Sequence, residues 1–191
     1  MRVFIAIDID GKTRAALGSL ESDIEGLAKE AGVRKGDVKW VRPEAIHLTL
    51  KFIGEVDDKS VAEICNIVKN VACSYNGFEI DIESVGYFGG RSATVLWVGT
   101  GQGSDELRRL QKDLDGQLSE AGWPMETREF AGHLTLCRIR NSKAGEKLAK
   151  ISQQYKDFKL GVISADSITV YQSELKPEGP VYTVLGDYKL G

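Results

Sequence analysis

The stretches His47-Leu48-Thr49-Leu50 and His133-Leu134-Thr135-Leu136 share one four-residue sequence, and they contain both histidines of the 191-residue chain. Side chains on a β-strand alternate between its two faces, so apolar residues at every second position predict a half-buried strand. The leucines of each stretch would then enter the core. Each histidine would share the opposite face with the threonine two residues later. The sequence therefore predicts two matching strands, each presenting an imidazole and a hydroxyl.

The segments around the two stretches follow the same order of strand, helix, histidine strand, helix and strand. Helices are predicted where apolar residues recur at helical spacing between capping residues and glycines. These helices are 12–31, one capped by Asp57 or Asp58 and continuing to 71, one capped by Ser104 and ended by Gly122, and 142–155. Strands are predicted at 2–9, 38–41, 47–54, 78–87, 93–98, 133–136, 158–162, 167–172 and 181–185, with turns at 89–90 and 177–180.

An internal duplication, with approximate repeats 1–90 and 91–191, accounts for this order. No linker separates the halves, so we expect 1–191 to form a single bilobal catalytic domain. The predicted fold class is α+β, with two pseudo-symmetric lobes of antiparallel β-sheet, outer helices and a central cleft. This prediction allows a strand of one repeat to belong to the sheet of the other lobe. An approximate twofold axis would turn the polar faces of both histidine strands toward the cleft.

Composition and charge narrow the classes of function. The net charge is −3, which excludes a global positive field for long nucleic acid and limits contact with RNA to a few nucleotides. Cys65, Cys73 and Cys137 show neither a metal-site nor a disulfide pattern. The N-terminal sequence becomes acidic too soon for a signal peptide, and no apolar run is long enough to cross a membrane. We expect a reduced, cytoplasmic monomer that does not bind membranes.

Paired imidazoles and hydroxyls suit the chemistry of a phosphodiester. Imidazole titrates near pH 6.5, so one ring can accept a proton from water while a second, protonated ring donates to the leaving oxygen. Charge that develops on the phosphate oxygens would be stabilised by hydrogen bonds from Thr49 and Thr135. This reaction needs no cofactor and no metal, and we predict neither.

Two other interpretations use the same residues. A single histidine on a strand usually has a structural role, and threonine is common in strands for its β-propensity alone. Two identical copies that hold every histidine favour catalysis instead. A zinc ion needs three or four ligands. Alternation would place Cys137 on the face of His133 and Thr135, but no carboxylate joins that face nearby, so a zinc site is the weaker interpretation.

The residues around both stretches resemble a known family. VKWVRPEAIHLTLKFIGEV at 38–56 and REFAGHLTLCRIR at 128–140 resemble the two motif regions of the 2H phosphoesterases. Within that superfamily the chain is most similar to the RNA 2′,3′-cyclic phosphodiesterases, also described as 2′-5′ RNA ligases. VLWVG at 95–99 and SELKPEGPVY at 173–182 resemble a later core strand and the C-terminal signature of the family. The family usually has proline before the second histidine, where this chain has Gly132.

The resemblance implies hydrolysis of RNA or oligonucleotides that end in a 2′,3′-cyclic phosphate, tRNA fragments among them, to 2′-phosphomonoesters. Carried over by motif position, His47 would be the proton donor to the leaving 3′ oxygen and His133 the proton acceptor that activates water. Thr49 and Thr135 would bind the phosphate, and the reverse 2′-5′ ligation would use the same groups. The two stretches themselves do not distinguish donor from acceptor, because they are identical.

Charged residues on the two predicted strands are further candidates. Lys51 shares strand parity with His47 and Thr49, so alternation predicts that it reaches the groove and meets phosphate, with a solvated lysine as the alternative. Arg138 and Arg140 point away from His133 by strict alternation and would then have a structural or rim role, unless a bulge redirects them.

Residues that precede the two stretches are also candidates. Arg42 and Arg128 would line the mouth of the groove and contact backbone phosphates. Phe130 and Trp40 would either stack on a base or belong to the core.

Two other functions remain possible beside hydrolysis of RNA 2′,3′-cyclic phosphate ends. One is another phosphodiesterase of the same superfamily, acting on a cyclic nucleotide, ADP-ribose cyclic phosphate or a 2′-5′ oligonucleotide. The other is a non-catalytic module that binds RNA ends.

Overall fold

The structure is a computed structural model that describes residues 1–177 and 179–191, so Glu178 of the predicted turn at 177–180 lies outside the described residues. The described residues form nine strands and four α-helices. The strands are β1 (Arg2–Ile7), β2 (Val38–Trp40), β3 (Leu48–Glu55), β4 (Phe78–Phe88), β5 (Val95–Thr100), β6 (His133–Ile139), β7 (Lys159–Ala165), β8 (Ser167–Lys176) and β9 (Gly179–Lys189). The helices are α1 (Gly11–Glu30), α2 (Asp58–Ala72), α3 (Ser104–Glu120) and α4 (Ser142–Ser152).

The strands form two antiparallel sheets with the orders β3-β1-β8-β9 and β2-β6-β5-β4-β7. Each histidine strand pairs with the first long strand of its own half, β3 with β1 and β6 with β5. Strands also cross between the halves, because β4 joins the sheet of β6 while β8 pairs with β1. The predicted α+β class with two antiparallel sheets is confirmed. The division into repeats 1–90 and 91–191 remains a prediction.

The helices begin as the capping residues dictate, with one exception. Asp57 caps α2, as predicted, by accepting a hydrogen bond from the Ser60 amide at 2.8 Å. The predicted cap at Ser104 is wrong, because Gly103 holds that position with a left-handed φ of 87°. The Ser104 hydroxyl instead donates to the Gly101 carbonyl at 2.6 Å. Within residues 1–177 and 179–191, none of the helices combines the length and apolar character needed to span a bilayer.

The leucines of both histidine stretches are buried in one apolar core between the sheets and the helices, as the alternation predicts. Each stretch also carries a β-bulge at its fourth residue. On β3, Thr49 lies opposite Ala6 and Lys51 lies opposite Ile5, which leaves Leu50 as the extra residue. On β6, the equivalent extra residue is Leu136. The two stretches therefore share their backbone irregularity as well as their sequence.

A bulge inserts one residue, so every side chain beyond it changes face relative to strict alternation. Lys51 and Cys137, the first residues after the bulges, therefore turn inward and are buried. Phe52 and Arg138, the next residues, turn outward and are exposed. The shift decides which side chains join the two threonines on the polar face.

Candidate active site

A cleft of about 610 Å³ is lined by residues of both sheets. His47 and Thr49 line it from the first sheet, and Thr135 lines it from β6 in the second. The strands β3 and β6 lie next to each other, so the two histidine strands meet along this cleft. The hairpin of β8 and β9 adds Tyr182 to the wall. The structure thus brings hydroxyl groups from both strands into one cavity.

His47 lies at the entry to β3, where aromatic rings enclose its imidazole. The ring stacks on Phe4 with 4.8 Å between centroids, Tyr171 lies nearly parallel at 5.6 Å, and Tyr182 packs edge-on at 4.9 Å. Removing water from an imidazole disfavours its charged form. Burial therefore lowers the pKa of His47 to about 4, although the Asp8 carboxylate opposes the shift. In the free protein His47 is neutral at pH 7.

His133 is the first residue of β6, and a backbone carbonyl orients its ring. Nδ1 lies 2.7 Å from the Ala131 oxygen. Because a carbonyl can only accept, Nδ1 carries the proton and Nε2 of the neutral ring is an acceptor. Burial lowers the pKa of His133, the bond to Ala131 opposes this, and the charge of Arg138 lowers it further. The ring packs edge-on against Phe88 and is not among the residues that line the cleft, whereas Arg138 is.

Four cationic side chains line the cleft: Arg2, Lys39, Arg42 and Arg138. Among the described lining residues, no aspartate or glutamate accompanies them, although the whole chain carries a net charge of −3. Arg42, expected at the mouth of the groove, lies in its wall and donates a hydrogen bond to the Pro180 carbonyl at 3.3 Å. This local excess of positive charge favours an anionic ligand.

Lys51 does not reach the cleft, so the prediction that it lies beside His47 and Thr49 is wrong. Its side chain is only 7% exposed and forms an ion pair with Asp115 of α3. Its Nζ also donates to the Pro124 carbonyl at 2.6 Å. The bulge at Leu50 turns it inward, and both of its partners lie away from the cleft.

Phe130 and Arg128 lie outside the cleft as well. Both line a second cavity of about 570 Å³ between α3 and the segment 125–130. The prediction that Arg128 lines the mouth of the groove is therefore wrong. Phe130 packs against the hydrophobic core, which was the alternative predicted for it, and does not line the cleft. The segment before β6 has no regular secondary structure, so its sequence carries no periodicity from which side-chain direction could be predicted. Trp40, the other candidate for stacking, does line the cleft.

Phe52 and Arg138 are the lining residues that strict alternation missed. Each is the second residue after a bulge, and each shares the polar face with the threonine of its stretch. The signal available in the sequence is their equivalence, since both lie five residues after a histidine in identical surroundings. Because the two stretches are identical, a bulge known in one strand predicts the same bulge in the other.

Arg14 of α1 fixes the approach to His47. Its guanidinium donates to the carbonyls of Pro43, Glu44 and Ile46 at 3.2, 2.8 and 3.4 Å. It also pairs with Asp8 at 2.5 Å. One side chain thereby contacts three carbonyls of the short 3-10 helix Pro43–Ala45 and the residue after it, and ties the approach to His47 to α1.

The described residues offer no cluster of three or more His, Cys, Asp or Glu side chains arranged to hold a metal ion. Cys137, the thiol that alternation placed on the face of His133, is buried in the core because of the bulge at Leu136. That placement was therefore wrong. Burial also raises the pKa of Cys137 to about 12, so it stays a neutral thiol.

Comparison with known protein families and curated sequences gives matches along almost the whole chain. The family described as LigT like phosphoesterase matches residues 17–97 and again 98–182. The RNA 2′,3′-cyclic phosphodiesterase of Methanothermobacter thermautotrophicus is 31% identical over 191 residues, covering 100% of this chain and 99% of the relative. The enzyme of the same name from Thermotoga maritima is 32% identical over 186 residues, covering 97% and 93%.

Solved structures give the same result for the fold. The crystal structure of the Thermus thermophilus protein TT0787 superposes with a TM-score of 0.79 at 25% identity, covering 100% of this chain and 98% of that one. The crystal structure of E. coli LigT complexed with 3′-AMP has a TM-score of 0.79 at 23% identity, covering 99% and 97%. The second likeness shows the fold alone.

Proposed function

Because the chain belongs to the LigT like phosphoesterase family, we propose that it hydrolyses RNA 2′,3′-cyclic phosphate ends to 2′-phosphomonoesters without a metal ion. One observation carries the proposal: two identical His-x-Thr segments with the same bulge place their hydroxyls in one cationic cleft. Relatives at 31% and 32% identity are RNA 2′,3′-cyclic phosphodiesterases, which supports this substrate.

The cyclic phosphate would bind between the two threonines. Thr49 and Thr135 each offer one hydroxyl donor to a nonbridging oxygen, and they lie on strands of different sheets. Hydrogen bonds aimed at oxygens that gain charge in the transition state lower its energy. Arg42 and Arg138 add positive charge to the same cleft, so the substrate is held as an anion.

His133 would act as the general base. The bond from Nδ1 to Ala131 fixes the tautomer whose Nε2 can accept a proton from water. The lowered pKa keeps the ring neutral at pH 7, the form a base requires. Attack by the activated water then forms the bond to phosphorus opposite the leaving 3′ oxygen, and the 2′-phosphate remains.

His47 would donate a proton to the leaving 3′ oxygen. With a pKa of about 4 in the free protein, it can only do so once the substrate phosphate raises that value, because a nearby negative charge favours the imidazolium. A low pKa in the free protein also suits a base, so the opposite assignment of the two histidines is the second candidate. A substrate whose leaving group needs no acid separates the two assignments.

The substrate would be the end of an RNA, such as a tRNA fragment, contacted over a few nucleotides by a monomer. By microscopic reversibility the same groups would join a cyclic phosphate end to a 5′-hydroxyl, and hydrolysis would dominate in dilute solution because water is in large excess. Another member of the superfamily would accept a cyclic mononucleotide or a 2′-5′ linkage at the same groups.

The test is turnover of a short RNA with a 2′,3′-cyclic phosphate in the presence of EDTA, with the position of the product phosphate read by NMR. We expect a 2′-phosphate, unaffected by EDTA, and losses of about 10²–10⁴-fold in His47→Ala and His133→Ala. Arg140→Gln is a matched control, because Arg140 follows the second histidine strand but does not line the cleft.

Three outcomes would contradict the proposal in different ways. Binding without turnover would indicate a module that only binds RNA ends. Hydrolysis of a mononucleotide or a 2′-5′ linkage, with no turnover of the cyclic RNA, would move the chain to another substrate within the superfamily. Loss of activity in EDTA that zinc or manganese restores would exclude the metal-free mechanism.

A further inference from the structure

We propose that the buried ion pair of Lys51 and Asp115 is a positioning device for His133, which ties the segment that leads into the second histidine strand to the first histidine strand. The inference rests on the proposed function, because it assigns the pair a part in turnover. It concerns two residues that do not line the cleft.

Both side chains of the pair are more than nine-tenths buried, with exposed fractions of 7% for Lys51 and 9% for Asp115. Lys51 Nζ donates to one Asp115 oxygen and to the Pro124 carbonyl, the latter at 2.6 Å. The other Asp115 oxygen accepts the backbone N–H of Glu126 at 2.9 Å. The pair therefore makes two hydrogen bonds to the backbone of one short segment.

This segment, 123–132, connects α3 to β6 and has no helix or strand of its own. From Pro124 to Ala131, the described residues show three backbone hydrogen bonds to groups outside the segment, and two of them are those of the pair. Ala131, at the far end of the segment, supplies the carbonyl that orients His133. Displacement of the segment would thus displace the group that sets the tautomer and direction of the catalytic ring.

The other end of the link is the first histidine strand. Lys51 is two residues beyond Thr49 on β3, and the bulge at Leu50 aims it at α3. The pair thereby fixes the distance between a phosphate-binding strand of one lobe and the approach to His133 in the other. A 1 Å error in such a distance costs a catalytic step up to about 100-fold.

Stability alone does not require an ion pair at this place. Burying two charges costs desolvation that their attraction roughly offsets, and apolar residues of similar volume often stabilise a fold as well or better. Methionine and leucine would fill the same space but would offer no partner to the Pro124 carbonyl or the Glu126 amide. The ion pair and its apolar replacement therefore differ in whether the path of segment 123–132 is fixed.

The double variant Lys51→Met with Asp115→Leu separates position from stability. We expect a midpoint of thermal unfolding within about 5 °C of the wild type. We also expect kcat to fall about tenfold or more while KM changes less than about threefold, because the cleft residues that bind phosphate are unchanged. Arg109→Gln is the control: it breaks an exposed ion pair with Glu106 on the same helix and should leave both constants unchanged.

A spectroscopic measurement tests the inference without turnover. The chain has two histidines, so their imidazole signals can be assigned with one His47→Gln variant. The double variant should shift the signal of His133 and leave that of His47, which is held by Phe4, Tyr171 and Tyr182. Asp115→Asn, which keeps one acceptor oxygen and can satisfy only one of the two donors, should give a smaller change of the same kind.

Wild-type kcat and an unshifted His133 signal in either folded variant would overturn the inference. In the wild-type protein the Glu126 amide should be protected from hydrogen exchange relative to the amides of Met125 and Glu129, which have no acceptor among the described residues. Equal rates would overturn the inference too, even if no variant folds. Failure of the proposed function looks different, since the wild type would then not turn over the cyclic RNA while the NMR results still stand.

Discussion

His47 and His133 head strands with one tetrapeptide, one burial pattern and one bulge, but the groups around them differ. His47 is enclosed by Phe4, Tyr171 and Tyr182 and has a pKa of about 4. His133 donates a hydrogen bond from Nδ1 to the Ala131 carbonyl. This bond favours the charged ring and so offsets part of the lowering of the His133 pKa by burial. The repeated sequence therefore accounts for matching backbones, while the unlike neighbours give the two imidazoles different affinities for a proton.

The same contrast continues beyond the bulges. The inward residue is Lys51 on one strand, where it reaches Asp115, and Cys137 on the other, where it is a neutral thiol in the core. The outward residue is the aromatic Phe52 on one strand and the cation Arg138 on the other. A site with two different proton roles and an asymmetric substrate needs such differences, and each can be tested by changing one strand at a time.

The largest expected effect separates the acid from the base. A substrate in which sulfur replaces the leaving 3′ oxygen needs little protonation, because a thiol is a far stronger acid than an alcohol. In His47→Ala we expect a loss of about 10²–10⁴-fold on the oxygen substrate and less than about tenfold on the sulfur substrate. His133→Ala should lose the same factor on both. Steady-state rates of both variants on both substrates provide the measurement.

The wild type, assayed on both substrates, gives the reference for the intrinsic effect of sulfur. Recovery of His133→Ala instead of His47→Ala would exchange the two roles, in agreement with the low pKa of free His47. Recovery of neither variant would contradict a general acid in this site.

The contrast between the strands was only partly predictable from the sequence. Period-two alternation identified both histidine strands and buried all four of their leucines, because one face of each strand is apolar. The resemblance of the motif regions to the 2H phosphoesterases is confirmed by the family match. His47, Thr49 and Thr135 reach the cleft as predicted, while their roles, and that of His133, remain proposals.

Other features depend on contacts that no local pattern encodes. A bulge changes the side-chain alternation without changing composition, which is why the faces predicted for Lys51 and Cys137 are wrong. For Arg138, the bulge is the alternative that the sequence analysis left open. The rings around His47 come from β1, β8 and β9, which are brought together because β8 and β9, from the C-terminal end of the chain, join the sheet of β1 and β3. Phe130 lies in an irregular segment, where no periodicity indicates side-chain direction, and it packs against the core.

A second prediction measures the unequal burial of the two imidazoles through stability. The folded pKa of His47 lies below its ordinary value of 6.5, so the unfolded chain binds this proton more tightly between pH 6.5 and about 4. The free energy of unfolding should therefore fall as pH decreases through this window, by roughly 3 kcal/mol at most from His47. Urea unfolding of the wild type and His47→Gln at several pH values gives this contribution as the difference between the two curves.

His133→Gln, measured in the same way, should remove a smaller part of the pH dependence, because the bond to Ala131 favours the charged ring. Carboxylates that titrate in the same range contribute equally to all three proteins and cancel in the differences. Equal slopes for the wild type and His47→Gln would mean that the aromatic enclosure does not suppress protonation of His47.

The smallest expected effect concerns the outward residues, Phe52 and Arg138. Arg138 lines the cleft, and its charge lowers the pKa of His133. Arg138→Gln should therefore raise KM for the cyclic RNA about tenfold, weaken its dependence on salt, and shift the acidic limb of the kcat/KM profile to higher pH as the pKa of His133 rises. Phe52→Leu, which changes no charge, should alter KM less than about threefold and leave the pH profile unchanged.

Arg140→Gln is the control, because it removes a cation that lies outside the cleft on the same chain segment. This variant should match the wild type in KM and in the pH profile. If Arg140→Gln reproduced the effects of Arg138→Gln, the cause would be the total charge of the protein, and the bulge at Leu136 would have no part in selecting which arginine meets the substrate.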